Sequence, residues 1–175
     1  MSLKNWKGVV VIAVAAVMTL CVGWSAGASP EWRDFEIEGT WNVTVTQSNC
    51  ATGAPIGTFK SILTFANGGT MAEDTSNPAF ATPGERGAGQ GYWHYKGGRS
   101  FYARSIAFIH PLAGVASPFK AGTQIISQTI QFAADNPDAW STTQASVEFL
   151  DSTGTLYHPP SPFPVCVSAT ATRFE

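Results

Sequence analysis

Charge is the scarcest commodity in this chain. Lysine and arginine number 10 and aspartate and glutamate 12, so charged residues make up 13 % of 175 residues. Ordinary globular proteins carry roughly 25 %. A chain this poor in charge and 44 % hydrophobic is not built to stay disordered, because disorder needs high charge and little apolar surface to bury. Nor is there a basic face for nucleic acid: Lys60, Lys96, Arg99, Arg104 and Lys120 are scattered, and the net charge is −2. Catalytic signatures are missing too. There is no G-x-S-x-G, no phosphate-binding glycine loop and no H-E-x-x-H. With only three histidines, a metal or haem site would need His94 and His110 to converge, and no carboxylate stands at ligand spacing from either. No metal and no cofactor is therefore expected. Beyond the first thirty or so residues, no stretch has the 3.6-residue apolar period of an amphipathic helix.

What the sequence does have begins with its first segment. Lys4 and Lys7 precede an apolar run over residues 9–22, no charge follows before Glu31, and Ala26-Gly27-Ala28 is a small-residue cleavage pattern. This is the layout of a secretory signal peptide. The run is shorter than the ~20 residues of a spanning helix and ends in small residues at a proline. Met18-Thr19-Leu20 before Cys21 does not fit a lipid-attachment site. The expected organisation is a leader at 1–28 and a single domain at 29–175, secreted or periplasmic, with no stable membrane anchor after cleavage. Export removes Cys21 and leaves Cys50 and Cys166. An even pair in an oxidising compartment reads as a disulfide.

The mature part is rich in Thr, Ser, Gly and aromatic residues, a composition of strands and turns. In residues 39–46, Trp41, Val43 and Val45 alternate with Thr and Asn, the period of a strand with one dry face. Further strands are expected at 59–65, 70–74, 91–96, 100–110, 123–132, 140–150 and 165–174, with a fragment at 155–157 ahead of Pro159, Pro160, Pro162 and Pro164. Asn67-Gly68-Gly69 and Gly97-Gly98 mark tight hairpins. Residues 75–90 and 111–122 read as loops. About eight strands joined mainly by hairpins favour an up-and-down antiparallel barrel, because closure removes exposed edges. Cys50 follows the first strand and Cys166 begins the last. Bonding them makes sense when those strands are neighbours, and Cys50 opposite Cys166 would set Thr46 opposite Thr170.

Gly39-Thr40-Trp41, preceded by Ile37-Glu38, resembles the G-x-W signature on the first strand of lipocalins and related calycin barrels. The resemblance covers those residues and the strand layout. It implies that Trp41 plugs the closed end of a barrel beneath a ligand cavity, with Arg173 packed over it. The other lipocalin loop motifs are not evident, and no helix follows the last strand. The chain also resembles small exported bacterial proteins of uncharacterised function. The shared features are the G-T-W start, a G-x-G-x-W segment (Gly89 to Trp93) and a Cys-bearing last strand ending in Arg-Phe-Glu. That group implies no activity.

Eight-stranded barrels either fill with side chains or hold one small ligand. Candidate lining aromatics are Trp41, Phe59, Phe65, Trp93, Tyr95, Phe101 and Trp140, with Phe149 beside them. Small residues share the inward positions: Ser61, Gly91, Ala103, Ser105, Ala107, Ala145, Ala169 and Ala171. That mixture favours a cavity over a filled core. Glu73-Asp74 reads as a solvated strand end, since adjacent strand residues point to opposite faces. Three functions fit. The first is a barrel binding a small, largely apolar molecule. The second is an enzyme of the allene-oxide-cyclase type, which folds a hydrophobic substrate with few catalytic groups; Arg104, His94, Tyr95 or Glu148 would then supply the proton or polarise a carbonyl. The third is a packed structural or interaction domain with no ligand. A cavity with a polar group inside it favours the enzyme, and an apolar cavity the binder.

Overall fold

The computed structural model describes residues 36–77, 85–111, 121–158 and 164–175. The leader, its cleavage site and Cys21 lie outside them. The described residues form nine strands: β1 (Gly39–Asn49), β2 (Pro55–Ala66), β3 (Thr70–Thr75), β4 (Glu85–Gly97), β5 (Ser100–His110), β6 (Gly122–Phe132), β7 (Ala139–Asp151), β8 (Leu156–Tyr157) and β9 (Val165–Arg173). Every pairing is antiparallel. Strands β1 to β7 follow one another as a meander, β9 lies between β7 and β1, and β6 pairs with β7, so eight strands close on themselves. The two-residue β8 pairs with the far end of β7, on the same edge that β9 takes at Ala139–Ser141.

Alternation drives this architecture. In β5, Phe101, Ala103, Ser105, Ala107 and Ile109 are buried, and each residue between them is half-buried or exposed. The same period puts Trp41 and Val43 of β1 inside and Ser61, Leu63 and Phe65 of β2 inside. The expected loop over 75–90 is shorter than composition implied, because β4 begins at Glu85 rather than at Gly91. Gly87, Gly89 and Gly91 belong to the strand. A Cβ at Gly91 would collide with the Arg104 carbonyl of β5, so glycine here allows a close approach of two backbones.

One end of the barrel is filled. Trp41 is fully buried, and its indole N–H donates to Ile37 O at 2.8 Å. Its ring lies 5.5 Å from Phe132 and 5.9 Å from Trp140. Phe132 in turn meets Phe101 at 5.6 Å, Phe101 meets Trp93 at 5.9 Å, and Trp93 meets Phe65 at 6.4 Å. Most of these contacts are edge-on or tilted, the arrangement ring quadrupoles favour. The Arg173 guanidinium caps the plug at 4.4 Å from the Trp41 ring. It also donates to Glu38 O at 2.7 Å and Glu36 O at 2.8 Å, and pairs with Asp138 at 2.6 Å. The last strand thus ties the lead-in, the plug and the β6–β7 turn together.

At the other end, Cys50 and Cys166 are bonded, with Cα atoms 5.0 Å apart. The register differs by two residues from the expected one: Ser48 faces Cys166, Thr46 faces Ser168 and Thr44 faces Thr170. The Cys50 amide donates to Pro164 O at 2.9 Å, so Cys50 stands opposite Pro164 and the bridge runs diagonally. A slip of two leaves every side chain on its own face, whereas a slip of one would invert the sheet.

Two stability predictions follow from this frame. Trp41→Ala empties the plug and should cost about 3–5 kcal/mol in denaturant unfolding. The bridge spans 116 residues, so Cys50→Ser and Cys166→Ser should each lower stability by the same amount, up to about 4–5 kcal/mol if chain entropy dominates. Unequal losses would mean that one cysteine has a second role.

Candidate functional site: a cavity with a buried ion pair

Above the aromatic plug the barrel is hollow. A cavity of about 810 Å³ is lined by residues of β1, β2, β3, β6, β7 and β9, by Arg86 of β4 and by the β8 segment. Apolar side chains such as Val45, Phe59, Ile126, Val147, Phe149 and Val167 make most of its wall. The cavity exists because small residues occupy inward positions where large ones would meet; Ser61, Ala145 and Ala169 all line it. The cavity is partly open, so it is accessible to water and to small molecules.

Strand β7 is only partly paired on the edge it turns toward β9. It pairs with β9 only over Ala139, Trp140 and Ser141, and with β8 only at Phe149 and Leu150. Between these, β7 has no ladder partner on that edge among the described residues. The divergence begins at a bulge, where Thr129 faces Gln144 and Ile130 faces Thr142, and bulges bend strands. The Thr142 hydroxyl accepts from the Ala169 amide at 2.8 Å and so ends the β7–β9 ladder with a side-chain bond. Residues of both strands, including Ala145, Val147, Val165 and Val167, face the cavity.

Among the polar side chains of this mainly apolar wall, Glu73, Arg86 and Gln124 form a buried cluster. Glu73 is buried, not solvated at a strand end as its sequence context implied; only its neighbour Asp74 is exposed. Arg86 pairs with Glu73, and both side chains are almost wholly enclosed. Arg86 Nε donates to Gln124 Oε1, and Arg86 also donates to Gly87 O at 3.2 Å. Burial lowers the Arg86 pKa to about 10, which leaves it cationic at neutral pH. The room for this pair comes from Gly89: a Cβ there would collide with the Glu73 side chain. Gln124 and Gln128 of β6 are also buried and line the cavity.

The residues singled out in the sequence fall into three places. Phe59 and Phe149 line the cavity. Trp41, Phe65, Phe101 and Trp140 form the buried core at the closed end, and Trp93 packs against that core. Tyr95 is 42 % exposed and donates to Gly98 O at 3.0 Å. Of the candidate proton donors, Arg104 and His94 are exposed. His94 lies 5.1 Å from Tyr102 and stacks on Tyr92 at 6.3 Å. Glu148 is exposed but borders the cavity, as does His158. The Glu73–Arg86–Gln124 cluster was missed because Arg86 sits in a glycine-rich stretch that reads as loop. The parity of Glu73 with buried Met71 was the available signal. The chain matches no protein-family model and no curated protein.

Removing one member of a buried ion pair strands the other charge, typically costing about 3–5 kcal/mol, whereas replacing both with apolar groups is often neutral. Glu73→Leu should therefore destabilise the barrel by about that much. The Glu73→Leu/Arg86→Met double variant should recover most of the loss, read by urea unfolding.

Proposed function

We propose that the protein is exported and that its barrel binds a small, largely apolar molecule in the interior cavity. The observation that carries this reading is a hollow of about 810 Å³ with a mainly aliphatic and aromatic wall above a filled, aromatic base. Ligand pockets are typically about 300–1,000 Å³ with few polar groups. Water in such a space finds few hydrogen-bond partners, so an apolar guest displaces it favourably. The partly paired edge between β7 and β9 supplies a route inward that does not disturb the plug. The arrangement resembles a lipocalin barrel in its G-x-W tryptophan, capping arginine and open upper half. Export is supported by the charged and apolar start of the sequence and by the Cys50–Cys166 bond.

The enzyme reading stands second, and the Glu73–Arg86 pair favours it as a polar group inside the cavity. It ranks below binding because each charge is spent on the other and Gln124 completes the cluster.

Native mass spectrometry of protein purified from its own host should show a retained small molecule, and N-terminal sequencing should begin near Ser29. Val147→Trp places a large ring in the cavity and should abolish retention while leaving the fold intact. An undiminished adduct in Val147→Trp would move binding outside the barrel, and a mature chain beginning at Met1 would overturn export.

A further inference from the structure

The polar cluster says what kind of molecule the cavity takes, given that it is a binding site at all. Charged or titratable residues in the described lining are Arg86, Glu73, Glu148, Tyr157 and His158. Among the described residues the one arginine of the lining is already paired with Glu73, and Glu148 adds a carboxylate at the cavity's border. A carboxylate, sulfate or phosphate on a ligand would find no unpaired lysine or arginine among the described lining residues and two carboxylates. An ammonium would have to settle beside Arg86. Either would be an uncompensated charge in a mostly apolar space, which is costly.

The cluster nevertheless presents one acceptor and one donor. Arg86 bonds Glu73 through Oε1, and Oε2 takes no hydrogen bond among the described residues. The only fully enclosed side-chain nitrogen or oxygen without a partner among them is Trp140 Nε1, so Glu73 Oε2 opens on the cavity. Gln124 uses Oε1 to accept from Arg86 Nε. That bond sets the amide's orientation and leaves Nε2 as a donor. Gln128 sits two inward positions further along β6, beyond Ile126, and is buried in the same wall.

We propose that the cavity's ligand is a neutral amphiphile, an apolar body with a hydroxyl or carboxamide end that donates to Glu73 and accepts from Gln124. Such an end satisfies both open valences of the cluster and brings no charge. A plain hydrocarbon would leave them dry and unpaired, and an acid would repel Glu73. The ion pair is in this account a device of selection: Arg86 holds Glu73 in place, and Glu73 screens Arg86 from anionic guests.

The test uses Nile red, an uncharged fluorescent probe, bound to the disulfide-intact barrel at pH 7.5 and displaced by decan-1-ol or by decanoate. These competitors share a chain length and differ in headgroup. Decan-1-ol should displace the probe at about tenfold lower concentration than decanoate. Glu73→Gln frees the Arg86 charge and should reverse that order. Gln124→Met keeps the ion pair, removes the donor, and should weaken decan-1-ol by about tenfold once displacement is referred to the variant's own Nile red affinity; it serves even where Glu73→Gln does not fold. Nile red bound but displaced equally well by both competitors, or decan-1-ol unaffected by Gln124→Met, would overturn the headgroup assignment alone. Nile red that fails to bind the wild-type barrel would overturn the cavity reading beneath it.

Discussion

The pairing of the first strand with the last is the constraint on which the rest of this structure depends. Nine consecutive residue pairs join β1 to β9, from Trp41 opposite Arg173 to Asn49 opposite Val165. Without it the meander would be an open sheet with two exposed edges, and neither plug nor cavity would have a wall. The pairing is secured differently at its two ends. At the closed end Arg173 stacks on Trp41 and binds the lead-in carbonyls. At the open end the Cys50–Cys166 bridge holds it covalently, where the cavity leaves few buried contacts to do so.

The same barrel is thereby a solid at one end and a container at the other. Rings from β1, β2, β4, β5, β6 and β7 meet in the plug, and this packing carries the stability. The upper half is released from that duty, and its inward positions take small or aliphatic residues. A charged pair in such a half is a poor source of stability, since desolvation consumes most of the Coulomb gain. Its place is better understood through what it presents to a guest.

Sequence patterning made the frame legible. The two-residue period in β5 left no ambiguity about its inner face, and strands with that period were placed to within a few residues. The disulfide was legible from the two cysteines that lie beyond the expected leader and from the expected compartment. Its register was not, because a bridge between neighbouring strands tolerates a diagonal geometry that spacing alone cannot reveal. The interior cluster stayed hidden for a related reason. Glu73 lies beside Asp74, and Arg86 among glycines, so local composition pointed to solvent for one and to loop for the other. Only the fold shows that Gly89 is small so that Glu73 has somewhere to go. Which aromatics face the cavity was equally beyond alternation: parity distinguishes inside from outside, but height along the barrel depends on how the strands are staggered.

The account stands on a guest occupying the barrel's interior and not its outside, where Ile62, Ile106 and Phe108 are also exposed. Intermolecular nuclear Overhauser effects between decan-1-ol and methyl-labelled protein decide this directly. The account predicts contacts from the alkyl chain to the methyls of Val45, Ile126, Val147 and Val167. Contacts confined to Ile62 and Ile106 would contradict it.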